Sequence, residues 1–169
     1  MVRRVQHSEA GFTLIELLVV LVIMGIILSF ATLSMHRDDP LAQEVDRFIA
    51  LSDLAGQEAV LKSTSIGMVF SANEYSFVTP QDAQWQPHAG DAQFRPRTLP
   101  EGCRVQVYID GLSVSLEQSE DEIKPQLVFL SSGERTPVEV VFNSADGRTA
   151  YRIVLNEIGR PELHIEGQE

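Results

Sequence analysis

One carboxylate interrupts a long stretch of the chain that is otherwise uncharged. Glu16 is the single charged residue within residues 12–35, FTLIELLVVLVIMGIILSFATLSM. In a membrane, such a carboxylate costs ~2.5–3.5 kcal/mol on insertion scales, and intramembrane acids are functional candidates that need a partner. Because residues 12–35 contain no Lys or Arg, that partner must be a cation of another chain or a new N-terminus made by cleavage.

The other reactive residue types form no catalytic or metal-binding pattern. The sequence has no G-x-S-x-G, P-loop or H-E-x-x-H motif, and Ser131-Ser132-Gly133 is interpreted as a turn. The four histidines lack the spacing of metal ligands, and Glu120-Asp121-Glu122 is typical of a solvated acidic loop. Cys103 is expected to be a small buried hydrophobe, or else to form an intermolecular disulfide. We therefore expect no enzyme activity, metal or cofactor.

The stretch that carries Glu16 is long enough to cross a membrane. Twenty-four helical residues span ~36 Å, against ~30 Å for the core of a bilayer. Arg3, Arg4 and the N-terminal amine precede it, and positive charge on a short flank predicts that this end stays in the cytoplasm. Residues 36–169 then lie across the membrane. They hold 11 basic and 22 acidic residues and so carry the whole net charge of −11.

Three simpler interpretations of residues 12–35 remain: a cleaved secretory signal, a plain membrane anchor and a buried core helix. No convincing A-x-A cleavage site follows Leu28, which weighs against the first. A run of this length is unusual for a core helix. None of the three interpretations explains Glu16.

The motif G-F-T-L-I-E at residues 11–16 resembles the processing signal of type IV prepilins and pseudopilins. The resemblance implies that residues 1–11 are a leader peptide, that prepilin peptidase cuts between Gly11 and Phe12, and that Phe12 is then N-methylated. It also implies that Glu16 is the fifth-position acid of the mature chain. The protonated Phe12 amine of one subunit could pair with Glu16 of its neighbour. The alternative is a glutamate near the membrane surface that reaches water.

The rest of the chain, residues 36–169, is predicted to form one exported α+β domain. Pro40 fits the first position of a helix, and residues 41–62 have one amphipathic face. We therefore expect a long N-terminal helix whose first half spans the membrane and whose second half packs on antiparallel sheets. The predicted face comprises Leu41, Val45, Phe48, Ser52, Ala55 and Ala59.

About eight short strands are predicted after the helix, because alternating apolar residues are separated by turn signals such as Asp110-Gly111. Residues 80–100 contain four prolines and are predicted to be a loop, and residues 118–124 form a second, polar loop. The predicted strands are 66–70, 75–79, 105–109, 112–116, 127–130, 138–142, 151–155 and 162–165.

Parts of this domain resemble the H-type minor pseudopilins of type II secretion and the related FimT-type minor pilins. The matching segments include residues 65–70, 74–77 and 129–137. The resemblance implies a structural subunit near the tip of a periplasmic pseudopilus, which helps move folded proteins through the outer-membrane secretin. It implies that residues 12–35 hold the chain in the bacterial inner membrane. Its implied partners are other minor pseudopilins, the major pseudopilin, prepilin peptidase, and the secretin or secreted cargo.

A FimT-type minor pilin that binds DNA for uptake is the alternative function. DNA capture needs a basic patch, whereas the sequence pI is about 4.7. The C-terminal third holds four arginines but seven acidic residues around them, so no nucleic-acid partner is expected. The arginines are Arg135, Arg148, Arg152 and Arg160.

Overall fold

The computed structural model describes residues 14–34, 39–82, 84–88, 91–117 and 123–167, and the chain divides into two compact units, residues 1–39 and 40–169. The first unit contains helix α1, Leu14–Ser34. Among the described residues, no helix is both long enough and apolar enough to cross a membrane. The predicted leader, residues 1–11, lies outside the described part of the chain.

Helix α2, Pro40–Leu61, opens the second unit and confirms the helix predicted for residues 41–62. Proline suits the first helical position because the N–H that it lacks has no acceptor within the helix there. All six residues of the predicted apolar face are buried, and Leu51 is buried beside them. Residues 35–38, between the two helices, lie outside the described residues, so the continuity of the long helix stays a prediction.

Ten strands in the described residues form two antiparallel sheets, which confirms the α+β class. The sheet that we call sheet A has the order β3-β2-β1-β7, with β4 also paired to β2; sheet B has the order β10-β9-β8-β5-β6. The strands are β1 (Ile66–Ser71), β2 (Glu74–Gln81), β3 (Gln84–Pro87), β4 (Arg97–Thr98), β5 (Arg104–Ile109), β6 (Leu112–Ser113), β7 (Leu127–Phe129), β8 (Val138–Asn143), β9 (Thr149–Leu155) and β10 (Glu162–Gly167).

The prediction that residues 80–100 form a loop is wrong for part of that segment. Strand β3 pairs with β2, from Val78 opposite Pro87 to Gln81 opposite Gln84, and β4 pairs with β2 near its other end. The prolines were interpreted as loop signals, but an edge strand tolerates a residue that lacks an N–H donor. Between these strands, the Asp91 side chain accepts a hydrogen bond from the Gln93 N–H and starts a 3-10 turn that buries Phe94.

Most of the remaining strands and turns agree with the sequence. Asp110 and Gly111 both have positive φ, as a two-residue I′ hairpin turn requires. Strand β6 ends at Ser113 rather than at residue 116, although the Val114 N–H still donates to the Val107 carbonyl. Among the described strands, β6 is at the edge of its sheet and pairs with β5 alone. Of the predicted acidic loop, residues 118–122 lie outside the described residues.

Phe48 lies at the centre of the core and contacts both sheets from α2. Its ring centroid is 6.0 Å from that of Phe70 and 5.5 Å from that of Tyr75, both in sheet A. On the other side it is 5.1 Å from the ring of Phe142 in sheet B. Edge-to-face aromatic pairs at these distances add to the stabilisation from burial. One helical side chain therefore joins the three layers of the domain.

We predict that Phe48→Ala lowers the free energy of unfolding of the domain by ~3–5 kcal/mol, because it removes a fully buried ring and leaves a cavity between the helix and both sheets. Urea unfolding of the purified chain in detergent solution measures this loss. Leu61→Ala is the matched control in the same helix, because the Leu61 side chain is 83% exposed. An equal loss in both variants would contradict the central role of Phe48.

Candidate functional site

The three residues predicted to act in processing and assembly fall in the first unit. Gly11 and Phe12 lie outside the described residues. Glu16 lies in the first turn of α1, and its side chain is exposed. A carboxylate in the first turn is favoured by the partial positive charge of a helix N-terminus. The structure therefore places Glu16 in a helix, and its predicted role in assembly stays a prediction.

A second carboxylate, which the sequence analysis missed, is buried in the domain. Glu44 lies on the inner face of α2 and is only 5% exposed. The Tyr75 hydroxyl donates a hydrogen bond of 2.6 Å to its Oε1, and the Arg47 guanidinium forms an ion pair with its Oε2. Each carboxylate oxygen thus has a partner, as a buried charge requires. The cluster ties α2 to β2.

This network also shifts the acidity of Tyr75. Burial raises the pKa of the Tyr75 phenol, and the hydrogen bond to the Glu44 carboxylate raises this pKa further. The neutral phenol is the form that can donate to a carboxylate, so both effects favour it. The only sequence signal was Glu44 itself, a charged residue between the apolar positions Leu41 and Val45.

A groove of about 620 Å³ runs between the C-terminal half of α2 and two loops, residues 130–137 and 156–161. The side chain of Arg135, which is 8% exposed, lies in it and joins the loops. Its Nε donates to the Asn156 carbonyl and its Nη2 to the Gly159 carbonyl, both at 2.6 Å. Burial lowers the pKa of the Arg135 guanidinium, and the charge of nearby Asp53 opposes that shift.

The lining of the groove combines polar side chains, glycine backbone and two aliphatic side chains. Val60 and Leu61 contribute exposed aliphatic side chains, and Gly133 brings its backbone within reach of Val60. A Cβ at Gly133 would lie 3.8 Å from Val60 Cγ2, and the positive φ of this residue is one that glycine adopts without strain. The Ser52 hydroxyl is buried and donates a long hydrogen bond of 4.0 Å to Sδ of Met68. The turn predicted at Ser132-Gly133 is confirmed.

Three of the four arginines that could have formed a basic patch have partners within the domain. Arg152 lies between Glu139 and Glu166, with N···O distances of 2.6 Å and 2.8 Å. Those contacts raise the pKa of Arg152 and lower the pKa of Glu166. Arg148 lies 4.0 Å from Asp146, and Arg135 is buried as described. The charges therefore alternate in sign over this surface.

Cys103 is buried and belongs to the hydrophobic core, as the first of its two interpretations predicted.

Comparisons with known proteins agree with this architecture. Residues 44–159 match the protein family described as Type II transport protein GspH, and residues 6–32 match the prokaryotic N-terminal methylation motif. The second range includes Gly11, Phe12 and Glu16, whose roles stay predictions.

Two relatives are similar to the chain over most of its length. The chain is 33% identical over 143 residues to type II secretion system protein H of Pseudomonas aeruginosa. This aligned region covers 78% of this chain and 81% of that protein. The chain is 26% identical over 179 residues to type II secretion system protein H of Aeromonas hydrophila, with coverage of 97% and 98%. The crystal structure of the Vibrio cholerae minor pseudopilin EpsH matches with a TM-score of 0.62 and 25% identity, over 78% of this chain and 97% of that one.

We predict that the free energy of unfolding falls less steeply at high pH in Tyr75→Phe than in the unchanged protein. The pKa of Tyr75 is raised in the folded state, so above about pH 10 the unfolded chain releases a proton that the folded chain retains. Stability therefore falls as the pH rises, and a phenylalanine does not contribute to that slope.

At neutral pH, Tyr75→Phe should lower the free energy of unfolding by about 1–3 kcal/mol, because the Glu44 carboxylate loses a hydrogen-bond donor. Urea unfolding of both proteins, at neutral pH and just above the ordinary tyrosine pKa, measures both effects. If the free energy of unfolding changed with pH by the same amount in both proteins, the role assigned to Tyr75 would be refuted.

Proposed function

Because the chain belongs to the GspH family and is a minor pseudopilin of a type II secretion system, we propose that it is a non-enzymatic structural subunit near the tip of the pseudopilus. The observation that carries this proposal is the combination, in one chain, of the methylation motif and the family's α+β domain. In this position the subunit helps move folded proteins through the outer-membrane secretin. Its partners are other minor pseudopilins, the major pseudopilin, and the secretin or the cargo.

We further propose that residues 12–35 hold the chain in the inner membrane, with the N-terminus in the cytoplasm and residues 36–169 in the periplasm. The methylation motif supports this proposal, as does the sequence of residues 12–35, in which Glu16 is the single charge. Arg3 and Arg4 support the orientation, because basic residues on a short flank stay on the cytoplasmic side.

The N-terminal segment acts in assembly through a charge pair between subunits. Prepilin peptidase removes residues 1–11, and the new Phe12 amine, with an ordinary pKa of ~7.7–8.0, is mostly protonated at neutral pH. Glu16 of a neighbouring subunit supplies the carboxylate. In a bundle of apolar helices each charge is costly alone, so the pair favours the register in which both charges are satisfied.

We predict that the chain purified from membranes begins with N-methyl-Phe12, so that 158 of its 169 residues remain. The basis is the motif G-F-T-L-I-E at residues 11–16, preceded by Arg3 and Arg4, which lies within the matched methylation motif. Mass spectrometry of the intact protein and of its N-terminal peptide measures both the cleavage and the methyl group. An intact Met1, or a mature N-terminus elsewhere, would refute processing at this site.

We predict that Glu16→Ala leaves cleavage and membrane insertion unchanged but reduces co-purification with other pseudopilins and reduces secretion. Alanine enters a membrane more easily than glutamate, by ~2.5–3.5 kcal/mol, so insertion is not impaired. What is lost is the anion that pairs with a neighbour's Phe12 amine. Leu17→Ala is the matched control, because it shortens the adjacent side chain of α1 without removing a charge.

Full assembly of Glu16→Ala would leave two explanations, and a crosslink separates them. If the subunit occupies the uppermost position of the filament, its own Glu16 has no neighbour above, but its Phe12 amine still lies beside the subunit below. Crosslinking from a site near Phe12 to that subunit would then succeed. If both assembly is complete and the crosslink is absent, the pairing role is refuted.

A further inference from the structure

Strand β10 leaves one long edge of sheet B available for pairing. All six of its residues pair with β9, from Glu162 opposite Val154 to Gly167 opposite Thr149. In the part of the chain that the structure describes, no strand lies on its other side. An edge of this kind presents a row of N–H and C=O groups that can template another strand.

The other edges of the two sheets are shorter or covered. Strand β6 has two residues, and β3 has four and ends in Pro87. The outer edge of β7 is bridged by the same chain, because Phe129 pairs with Arg135 and the Thr136 N–H donates to the Val128 carbonyl. Strand β10 is therefore the edge best suited to accept a further strand.

The side chains of β10 alternate as in a strand with one buried face, and the described residues leave that face partly exposed. Leu163 lies opposite Ile153 and Ile165 lies opposite Tyr151, and both partners in β9 are buried. Because directly opposite residues share a face of the sheet, Leu163 and Ile165 belong to its core side. Yet Leu163 is 38% exposed and Ile165 is 64% exposed.

The charges at this edge indicate the chemistry of the partner. Glu162 and Glu166 lie on the outer face of β10, and the register places Glu139 on that same face of the sheet. Arg152 is bound to Glu166 and Glu139, and His164, on the same face of β10, lies 4.0 Å from Glu162. Strand β10 itself contains no Lys or Arg. A second copy paired antiparallel about His164, a register that uses most of the strand, would set Glu162 opposite Glu166, and carboxylate against carboxylate is unfavourable across a strand pair.

We propose that β10 is a docking edge for an extended segment of another protein that alternates apolar and basic residues and adds to sheet B as a sixth strand. Its apolar side chains cover Leu163 and Ile165, its basic side chains face Glu162 and Glu166, and its backbone pairs with the open edge. This mode combines main-chain affinity with side-chain selectivity at alternate positions. The surface belongs to the domain and does not involve the N-terminal segment.

The test is binding of a labelled peptide to the full chain in detergent solution, measured by fluorescence anisotropy. The probe alternates valine and lysine and is as long as β10, six residues. A peptide of the same composition, with its valines and lysines in two blocks, has the same charge and serves as the control. We expect the alternating peptide to bind at least about tenfold more tightly, because it alone places apolar groups on one face and cations on the other.

Two variants locate the site. Ile165→Lys should weaken binding of the alternating peptide about tenfold, because it replaces an aliphatic contact with a like charge. Leu112→Lys is the matched control, because Leu112 is a 73% exposed aliphatic residue at the opposite edge of the same sheet. The Leu112→Lys variant should bind the alternating peptide with unchanged affinity.

Equal binding of the two peptides, or equal weakening by the two variants, would overturn the proposal. So would dimerisation of the chain that Ile165→Lys abolishes while no peptide binds, because that result would assign the edge to a second copy.

Discussion

Burial of one helical face between two sheets holds the domain together, and Phe48 is where this constraint is strongest. Neither sheet could bury its inner face alone, because each is a single layer that needs an apolar partner. Helix α2 supplies that partner for sheet A directly, and the ring of Phe48 also contacts Phe142 in sheet B. The small side chains of Ser52, Ala55 and Ala59 are buried on the same face of the helix.

Polar groups then fix details that apolar burial leaves open. Hydrophobic packing is not directional, so it would tolerate small rotations of α2 on the sheets. Glu44 removes this freedom, because its carboxylate must remain within reach of the Tyr75 hydroxyl and of Arg47. Arg135 acts similarly on the loops, since its guanidinium holds the carbonyls of Asn156 and Gly159 together. A chain with a net charge of −11 thus uses several of its few cations internally.

Features that depend on neighbouring residues could be predicted from the sequence, and features that depend on distant ones could not. The period of apolar residues indicated α2, and Asp110-Gly111 indicated its hairpin, because both signals lie within a few residues. The methylation motif is local in the same sense. The contacts of Glu44 with Tyr75 and of Arg135 with Gly159 were missed, because the two residues of each pair are 31 and 24 positions apart. Strand β3 was missed because the prolines around it indicated a loop, whereas an edge strand accepts proline, which lacks an N–H donor.

The order of strands in sheet A has a consequence for the newly synthesised chain. Strand β1 pairs with β2 next to it but also with β7, where Gly67 lies opposite Val128. Synthesis proceeds at about 5–20 residues per second, so β7, which ends at Phe129, is complete about 2–10 s after β2. During that interval the apolar face of α2 has only a partial sheet beside it. The nascent protein therefore passes through a stage in which the apolar face of α2 is partly exposed. A chaperone that shields α2 would act most usefully at this stage.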